Sequence, residues 1–462
     1  MSASATGRTR RGELLKAVRQ LPDRTPKLSI LQRQEIIALV INPIEPHPLS
    51  MLPFAAMLLC IALLPSILKH HWERNYHRIA ITLAALTAAY YTFVLRYPQR
   101  LVHEAADYVS FMALVGSLFV IAGGIHIEMR GEAKPLRNCL FLALGGILGN
   151  FLGTTGASML LIRPWIRLNK FRYTALHTAF FIFLVSNFGG GLLPMGPPLF
   201  LGYLKGVPFF WVLTECWRPW TMSMFLLLVI FYFVDRHNYR RAPREIRRAL
   251  TETSGIKMGG LRNLIFLAVV LAAVFIQRPL FLREALMVMA AIASYFATPK
   301  RLHEANDFSF EPLKEVGWLF LGIFFTMVPV LDFMRFHAAE LPIDSPMEFY
   351  WLSGGLSSVL DNAPTYLTFL ANAMGRQNLS VENAVDVQGF VNSGAPELAA
   401  ISIGAVFFGA ATYIGNSPNF MVKAIVDRQG VHAPTFVGFI FKFAVPILLP
   451  VLWIVSFSVS RH

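Results

Sequence analysis

Several stretches of this chain carry no formal charge over lengths that suit a membrane crossing, among them Tyr108 to Ile125, Asn138 to Ile162, Tyr173 to Leu204 and Leu398 to Val422. About 20 apolar residues of helix span a hydrocarbon core. A helix packed into a soluble core keeps a polar stripe, and these stretches have none. Only 15% of the residues are charged, against about 25% in soluble domains, and the mean hydropathy is +0.52. The expected class is therefore an all-α, polytopic membrane protein.

The charge balance is basic, with 41 Lys+Arg against 27 Asp+Glu and a formal net charge of +14. The excess lies between apolar spans, which points to anionic lipid head groups and the positive-inside bias rather than to nucleic acid. Cys60, Cys139 and Cys216 are far apart in or beside apolar segments. They read as packing residues, not as a disulfide framework or a metal centre. Residues 1–50 are polar, basic and proline-containing, without the short apolar core of a signal peptide, and read as an N-terminal extension.

Along the chain, crossings are expected near 51–68, 78–95 and 108–127. Residues 136–168 are too long for one crossing and are interrupted by GTTGAS at 153–158. Two apolar arms around such a tip fit a re-entrant hairpin covered by protein; ordinary small-residue helix packing is the plainer alternative. Residues 172–210 are broken by SNFGGGLLPMGPP at 186–198, and a crossing near 211–234 follows. The arginine-rich segment 235–260 reads as a solvated cytoplasmic linker between a first transmembrane repeat, 51–234, and a second, 261–458.

The second half runs in the same order. Crossings near 261–277, 280–297 and 315–331 precede an interrupted segment, 346–374, with its break at 361–364. A polar loop, 375–395, leads to a long segment, 396–427, broken by GNSPN at 415–419, and the last crossing covers 434–456. Matching interrupted segments in two halves are the sequence sign of a secondary transporter built from inverted-topology repeats, each with a re-entrant hairpin and a broken helix. Arg163, Arg167, Lys170 and Arg172 put the ends of the first hairpin on the linker side, as do Lys300, Arg301 and Lys314 for the second half. The second hairpin then opens to the other side. Counting back sets the N-terminus outside, against the basic residues Arg8 to Arg33, and the internal loops decide the orientation.

From Phe349 to Gly375 the only formal charge is Asp361, followed at once by Asn362 and Pro364, a pair expected to break a helix. Such an acid costs about 2.5–3.5 kcal/mol at the centre of a membrane helix, so it is expected to be paired, hydrated or protonated. Desolvation favours its protonated form and a bound cation its ionised form, a simple basis for exchange; capping of the following half-helix is the plain alternative. Broken helices offer carbonyl oxygens at one end and N–H groups at the other. Thr154, Thr155, Asn187, Asn362, Thr365 and Asn416 add uncharged oxygens. His177 could relay protons or pack as a hydrogen-bonded core residue. Lys442 is expected to snorkel to the interface, and Pro329 with Asp332 to form a kink and an interfacial cap.

LGTTGASMLLIRP at 152–164, FFIFLVSNFGGGLLPMGPPLFLGYLKGVPFFW at 180–211, LSSVLDNAPTYLTFLA at 356–371 and YIGNSPNFMVKAI at 413–425 together resemble one bacterial group of the ion-transporter superfamily. It is the citrate-transport or sodium/proton-antiporter group, related to arsenite permeases and dicarboxylate/sodium symporters. The resemblance implies a scaffold and a transport domain, a homodimer and a multi-pass place in the bacterial inner membrane. It implies a substrate or ion site made of Thr154, Thr155, Ser158, Asn187, Gly189, Pro194, Asp361, Asn362, Thr365, Asn416 and Pro418, with Asp361, Asn187 and Asn416 as cation ligands. Where the group usually reads Gly-Asp-Pro-Pro, this chain has Gly196-Pro197-Pro198 and lacks one acid.

The expected function is cation (sodium or lithium)/proton antiport through Asp361; the alternative is symport of citrate or another carboxylate with cations. No enzyme activity and no cofactor are expected, and the sodium ion and proton are cargo. A membrane aspartyl protease would need two facing aspartates, and no second one lies at comparable depth. A channel would share the polar breaks but show flux that does not saturate.

Overall fold

The expected crossings form helices in a computed structural model that describes residues 45–241, 255–276, 278–431 and 433–459. Most of the extension (1–44) and the middle of the linker (242–254) lie outside the described residues. In the first half α1 (Leu52–Ile67), α2 (Lys69–Ala89, continued by a π-turn) and α3 (Pro98–Gly123) are followed by strand β1 (His126–Arg130). Then come α4 (Pro135–Asn169), α5 (Ala175–Leu184), α6 (Pro197–Lys205) and α7 (Trp211–Arg241). The second half has β2 (Gly255–Gly259), α8 (Asn263–Ala273), α9 (Leu282–Ala297), α10 (Lys300–Ala305), α11 (Glu311–His337), α12 (Pro346–Ser357) and α13 (Asn362–Arg376). It closes with α14 (Ala384–Ser393), α15 (Ala395–Phe408), α16 (Ser417–Arg428) and α17 (Phe436–Val459), which contains a π-helical stretch.

Among the described residues, five helices are long and apolar enough to cross a membrane: α3, α4, α7, α11 with its extension, and α17. By its internal contacts α4 does not cross. Gly153 has φ 67 and ψ 159, outside helical space, in a region that glycine enters without steric cost. On a straight helix Asn138 and Asn169 would be about 46 Å apart at ~1.5 Å per residue. Instead Asn138 Nδ2 donates to Asn169 Oδ1 at 2.8 Å, and Phe141 stacks on Trp165 with centroids 5.2 Å apart. The two arms are antiparallel and Gly153 is the tip, as the GTTGAS interruption suggested.

A second hairpin is made by α12 and α13, whose rings Phe349 and Phe369 meet at 6.5 Å on either side of the turn. Here the sequence reading needs correction. Asn362 and Pro364 do not break a helix; they begin one, with Asp361 as the N-cap of α13. A proline in the first turn removes only an N–H that would have had no intrahelical partner. The segment 375–395 is also more than a polar loop, since α14 forms within it and turns by 99° into α15.

The hairpins enter from opposite ends of α3. At its C-terminal end, Asn306 Nδ2 donates to Gly123 O and Ile125 O at 2.8 Å, and Arg163 of the first hairpin reaches Asp307 at 3.2 Å. At its N-terminal end, Arg100 pairs with Glu382, which follows the second hairpin, at 3.0 Å. Phe111 on α3 stacks against Phe320 of α11 at 4.6 Å and tilts against Phe324 at 5.4 Å, so the halves share one apolar core.

The linker reading is corrected at both margins. Asp235 is fully buried at the end of α7, paired with Arg172 and 3.1 Å from Asn138 Nδ2. At the far margin β2 pairs antiparallel with β1, His126 opposite Gly259. Apolar patterning could not reveal either contact, because one joins polar side chains and the other is a backbone strand pairing. Asp332 is not an interfacial cap: it accepts from Tyr91 Oη at 2.7 Å and Arg100 Nε at 3.1 Å. Lys442 is exposed.

Candidate functional site

The first broken helix opens after Leu184 and resumes at Pro197, with Gly196 as N-cap. An unpaired backbone group in hydrocarbon costs several kcal/mol, and here protein supplies the partners. From the first hairpin, Asn150 Oδ1 accepts from Leu192 N at 2.9 Å and Leu193 N at 3.3 Å. Trp220 Nε1 donates to Phe188 O at 2.6 Å, and Ser158 Oγ lies 2.8 Å from Ser186 Oγ. The backbones nearly touch: a Cβ added to Gly149 would stand 2.7 Å from Gly189 O. Thr154, just past the tip, packs its methyl group against Gly190.

The second broken helix opens after Phe408 and resumes at Ser417. Three asparagines join it to the first. Asn187 Nδ2 donates to Asn419 Oδ1 at 2.8 Å and to Ile182 O at 2.9 Å. Asn416 Nδ2 donates to Asn187 Oδ1 at 3.0 Å and to Ser186 O at 2.9 Å. Asn419 Nδ2 donates to Gly409 O and Thr412 O, both at 2.8 Å. All six amide protons are engaged, and Phe188 stacks on Phe407 beside them with centroids 4.1 Å apart.

The tip of the second hairpin closes on the same break. Thr412 Oγ1 donates to Ser358 O at 2.6 Å and accepts from Gly415 N at 3.0 Å. With its amide nitrogen turned toward the carbonyls, Asn362 donates to Gly415 O at 2.7 Å and Ala405 O at 3.1 Å. Asp361 is 7% exposed; its Oδ1 accepts from Ala363 N at 3.3 Å and its Oδ2 from Ser417 Oγ at 3.2 Å. Its carboxylate thus lies at the N-termini of α13 and α16, where the partial positive charge of helix ends offsets part of its desolvation. Capping is real.

Asp361, Asn416 and Ser417 line one cavity of about 150 Å³, with Glu315, Trp72 and apolar side chains around them. Asn416 Oδ1 has no protein donor among the described residues, so it remains available in the cavity that holds the acid. Pro312, Glu315, Tyr413, Ile414, Phe420 and Met421 are shared with a larger cleft of about 740 Å³. That cleft also includes Gly123, Arg163 and Asp307, which places it at the β1–β2 end of the molecule.

The residues singled out in the sequence fall into three groups. Asp361 and Asn416 line the cavity, with Asn362 bonded behind them. Asn187, Gly189, Ser158 and Thr154 lie at the first break and its hairpin. Buried Pro194 belongs to the first break, Pro418 to the first turn of α16, and Thr365 donates back to Asp361 O at 3.0 Å. Thr155 is half-buried next to Thr154 and contacts none of the broken segments through a hydrogen bond. Of the three expected cation ligands, Asn187 does not line the cavity. His177 is part of the Arg172–Asp235 cluster, with Nε2 3.2 Å from Asp235 Oδ1, and it completes the Thr174 capping box of α5. Ser417 and Asn419 were missed, although both lie in the GNSPN break; neutral residues in a recognised interruption gave no sign of which would face the acid.

A family model described as "putative citrate transport" matches residues 45–459. No curated protein matches the chain. The match takes in both hairpins and both broken helices, and this membrane protein belongs to that citrate-transport family.

Proposed function

We propose that the protein is a secondary active transporter exchanging a small monovalent cation, sodium or lithium, for protons, with Asp361 as the shared site. The observation that carries this reading is the cavity lining: Asp361, Glu315, Asn416 and Ser417 supply oxygen, and no lysine, arginine or histidine is among its lining residues. Oxygen donors suit a hard cation, and a proton competes with it for the carboxylate. Alternating access follows from two inverted repeats, 51–234 and 261–458, a reading supported by hairpins that enter from opposite ends of α3. In this reading the β1–β2 end faces the cytoplasm of the bacterial inner membrane, and the functional unit is a homodimer.

Collapse of an imposed pH gradient in proteoliposomes on adding sodium, lithium, potassium or citrate tests the proposal. Sodium or lithium should collapse it, and Asp361→Asn should reduce the flux to that of empty vesicles. Unchanged exchange by Asp361→Asn would refute the role of the acid. The second reading, citrate or carboxylate symport with cations, is favoured by the family description and by Arg163, Lys423 and Arg428 along the larger cleft. Sodium-dependent uptake of labelled citrate would put it first.

A further inference from the structure

A second set of buried ionisable groups lies at the other end of the molecule, away from the cavity that holds Asp361. Glu104 on α3 is fully buried, and its Oε1 has no hydrogen-bond partner among the described residues. Its Oε2 accepts from Arg100 Nη1 at 2.9 Å and lies 3.6 Å from Lys205 Nζ. Lys205, the last residue of α6, also pairs with Asp107 and Glu382, each at 2.8 Å. Arg100 pairs with Asp332 of α11 at 3.1 Å and with Glu382 at 3.0 Å. Tyr91 donates to Asp332 from the π-turn after α2, and His103 is exposed on α3 beside the cluster.

Four carboxylates therefore face two fixed cations, and oxygens of Glu104, Asp107 and Glu382 all lie within 4.8 Å of one another. Glu104 is fully buried and Asp107 and Glu382 are only 17% and 13% exposed; like charges so close and so little hydrated favour protonation of one of them. Lys205 already fills the space among the three acids, which leaves a proton as the species that fits. Each of the four acids has a charged partner; Glu104 is the fully buried one, and its Oε1 is left with no hydrogen-bond partner among the described residues.

We propose that Glu104 is a proton-binding site, distinct from Asp361 and protonated in this conformation. Its part in transport rests on the exchange reading above. The proton passes between bulk water and Glu104 Oε1 when the surrounding elements move and open the cluster, and no other bond changes. Coupling arises because Glu104 and Asp107 belong to α3, whereas Lys205 and Glu382 come from α6 and from the segment after α13, elements that carry the broken helix and the second hairpin. Displacement of those elements along α3 withdraws the Lys205 ammonium and changes the charge around Glu104, so protonation and conformation become linked.

Infrared difference spectra of the full-length protein in lipid, recorded during a pH titration, test this directly. A carbonyl stretch from a protonated carboxylic acid is expected. It should move when the protein is made with carboxyl-13C glutamate and stay when aspartate is labelled, and it should persist in Asp361→Asn and disappear in Glu104→Gln. In Glu104→Asp, a second check if Glu104→Gln does not fold, sensitivity should pass to the aspartate label. A band that answers only to labelled aspartate in the parent protein, or that survives Glu104→Gln, overturns the proposal, as does the absence of any such band. Parent vesicles without cation-driven proton flux would defeat the exchange reading while leaving the spectral result to decide the proton on Glu104.

Discussion

The Asp361 carboxylate and the Ser417 hydroxyl, 56 residues apart in sequence, meet at 3.2 Å where two helices begin. Among the described residues, Ser417 is the side chain that ties the acid of the second hairpin to the second broken helix by a hydrogen bond. A hydrogen bond to a charged group contributes about 1.5–3 kcal/mol. That bond favours the ionised carboxylate over the carboxylic acid, so Ser417→Ala should let protons compete better and weaken apparent cation affinity at a fixed pH by about 10-fold, with folding retained. The concentration of sodium or lithium giving half-maximal collapse of a pH gradient measures it. An unchanged value would remove Ser417 from the site.

Asn187 should matter more for stability than for cation contact. It donates to Ile182 O and Asn419 Oδ1, accepts from Asn416, and does not line the cavity. Asn187→Ala leaves buried polar partners without their bonds, at about 1–3 kcal/mol each. A clear drop in melting temperature in detergent is expected, whereas Asn416→Ala, which also removes the free Oδ1, should in addition lower cation affinity. Equal melting of Asn187→Ala and the parent would show that water replaces the amide.

Close backbone contact between the first hairpin and the first break gives a steric prediction. A Cβ at residue 149 meets a main-chain carbonyl at 2.7 Å, and Gly189 cannot move aside as a flexible side chain would. Gly149→Ala is expected to cost about 1–3 kcal/mol and to lower the yield of folded protein. Gly355→Ala, where an added methyl group meets no atom within 4 Å, is the control and should behave as the parent.

The buried Arg172–Asp235–His177 cluster predicts a different loss. Replacing Asp235 by Ala leaves Arg172 and His177 without their common carboxylate, and breaking a buried pair in this way costs about 3–5 kcal/mol. Asp235→Ala should lower the melting temperature strongly; the double variant Asp235→Ala with Arg172→Met should recover part of it. Additive losses in the two single variants would show that the two residues do not act as a pair.

The architecture was readable because hydrocarbon permits so few backbone arrangements. Uncharged runs placed the crossings, and glycine, proline and asparagine inside them marked the interruptions. The first tip could be placed within GTTGAS, and the fold narrows it to Gly153 by its positive φ. What the sequence concealed were contacts between polar residues far apart in the chain. Asp235 looked like the start of a charged linker, and nothing in the sequence marked Arg100 or Glu104 for burial. Their burial depends on which helix ends meet, and apolar periodicity says nothing about that. Asp361 stood out because it was a lone charge, while its partners Ser417 and Asn416 were neutral residues in a segment already marked as a break.

The acid missing between Gly196 and Pro197 gives the last test. Gly196 is the N-cap of α6, with extended backbone at φ −117 and ψ 160, a conformation any residue adopts. A Cβ added there meets no atom within 4 Å. Because Pro197 and Pro198 have no N–H, aspartate at this N-cap would accept from Leu199 N and be favoured by the helix dipole, together about 1 kcal/mol over a residue that cannot cap. Glycine is itself a fair N-cap, so the gain in stability should be small. The larger effect is electrostatic: Gly196→Asp adds a carboxylate to the broken helices, beyond the Asp361 and Glu315 that line the cavity. Cation affinity should rise, and the number of cations or protons moved per cycle should change, which reversal-potential measurements in proteoliposomes resolve. If affinity and stoichiometry both stay at parent values while the variant folds, the N-terminus of α6 takes no part in holding the cargo.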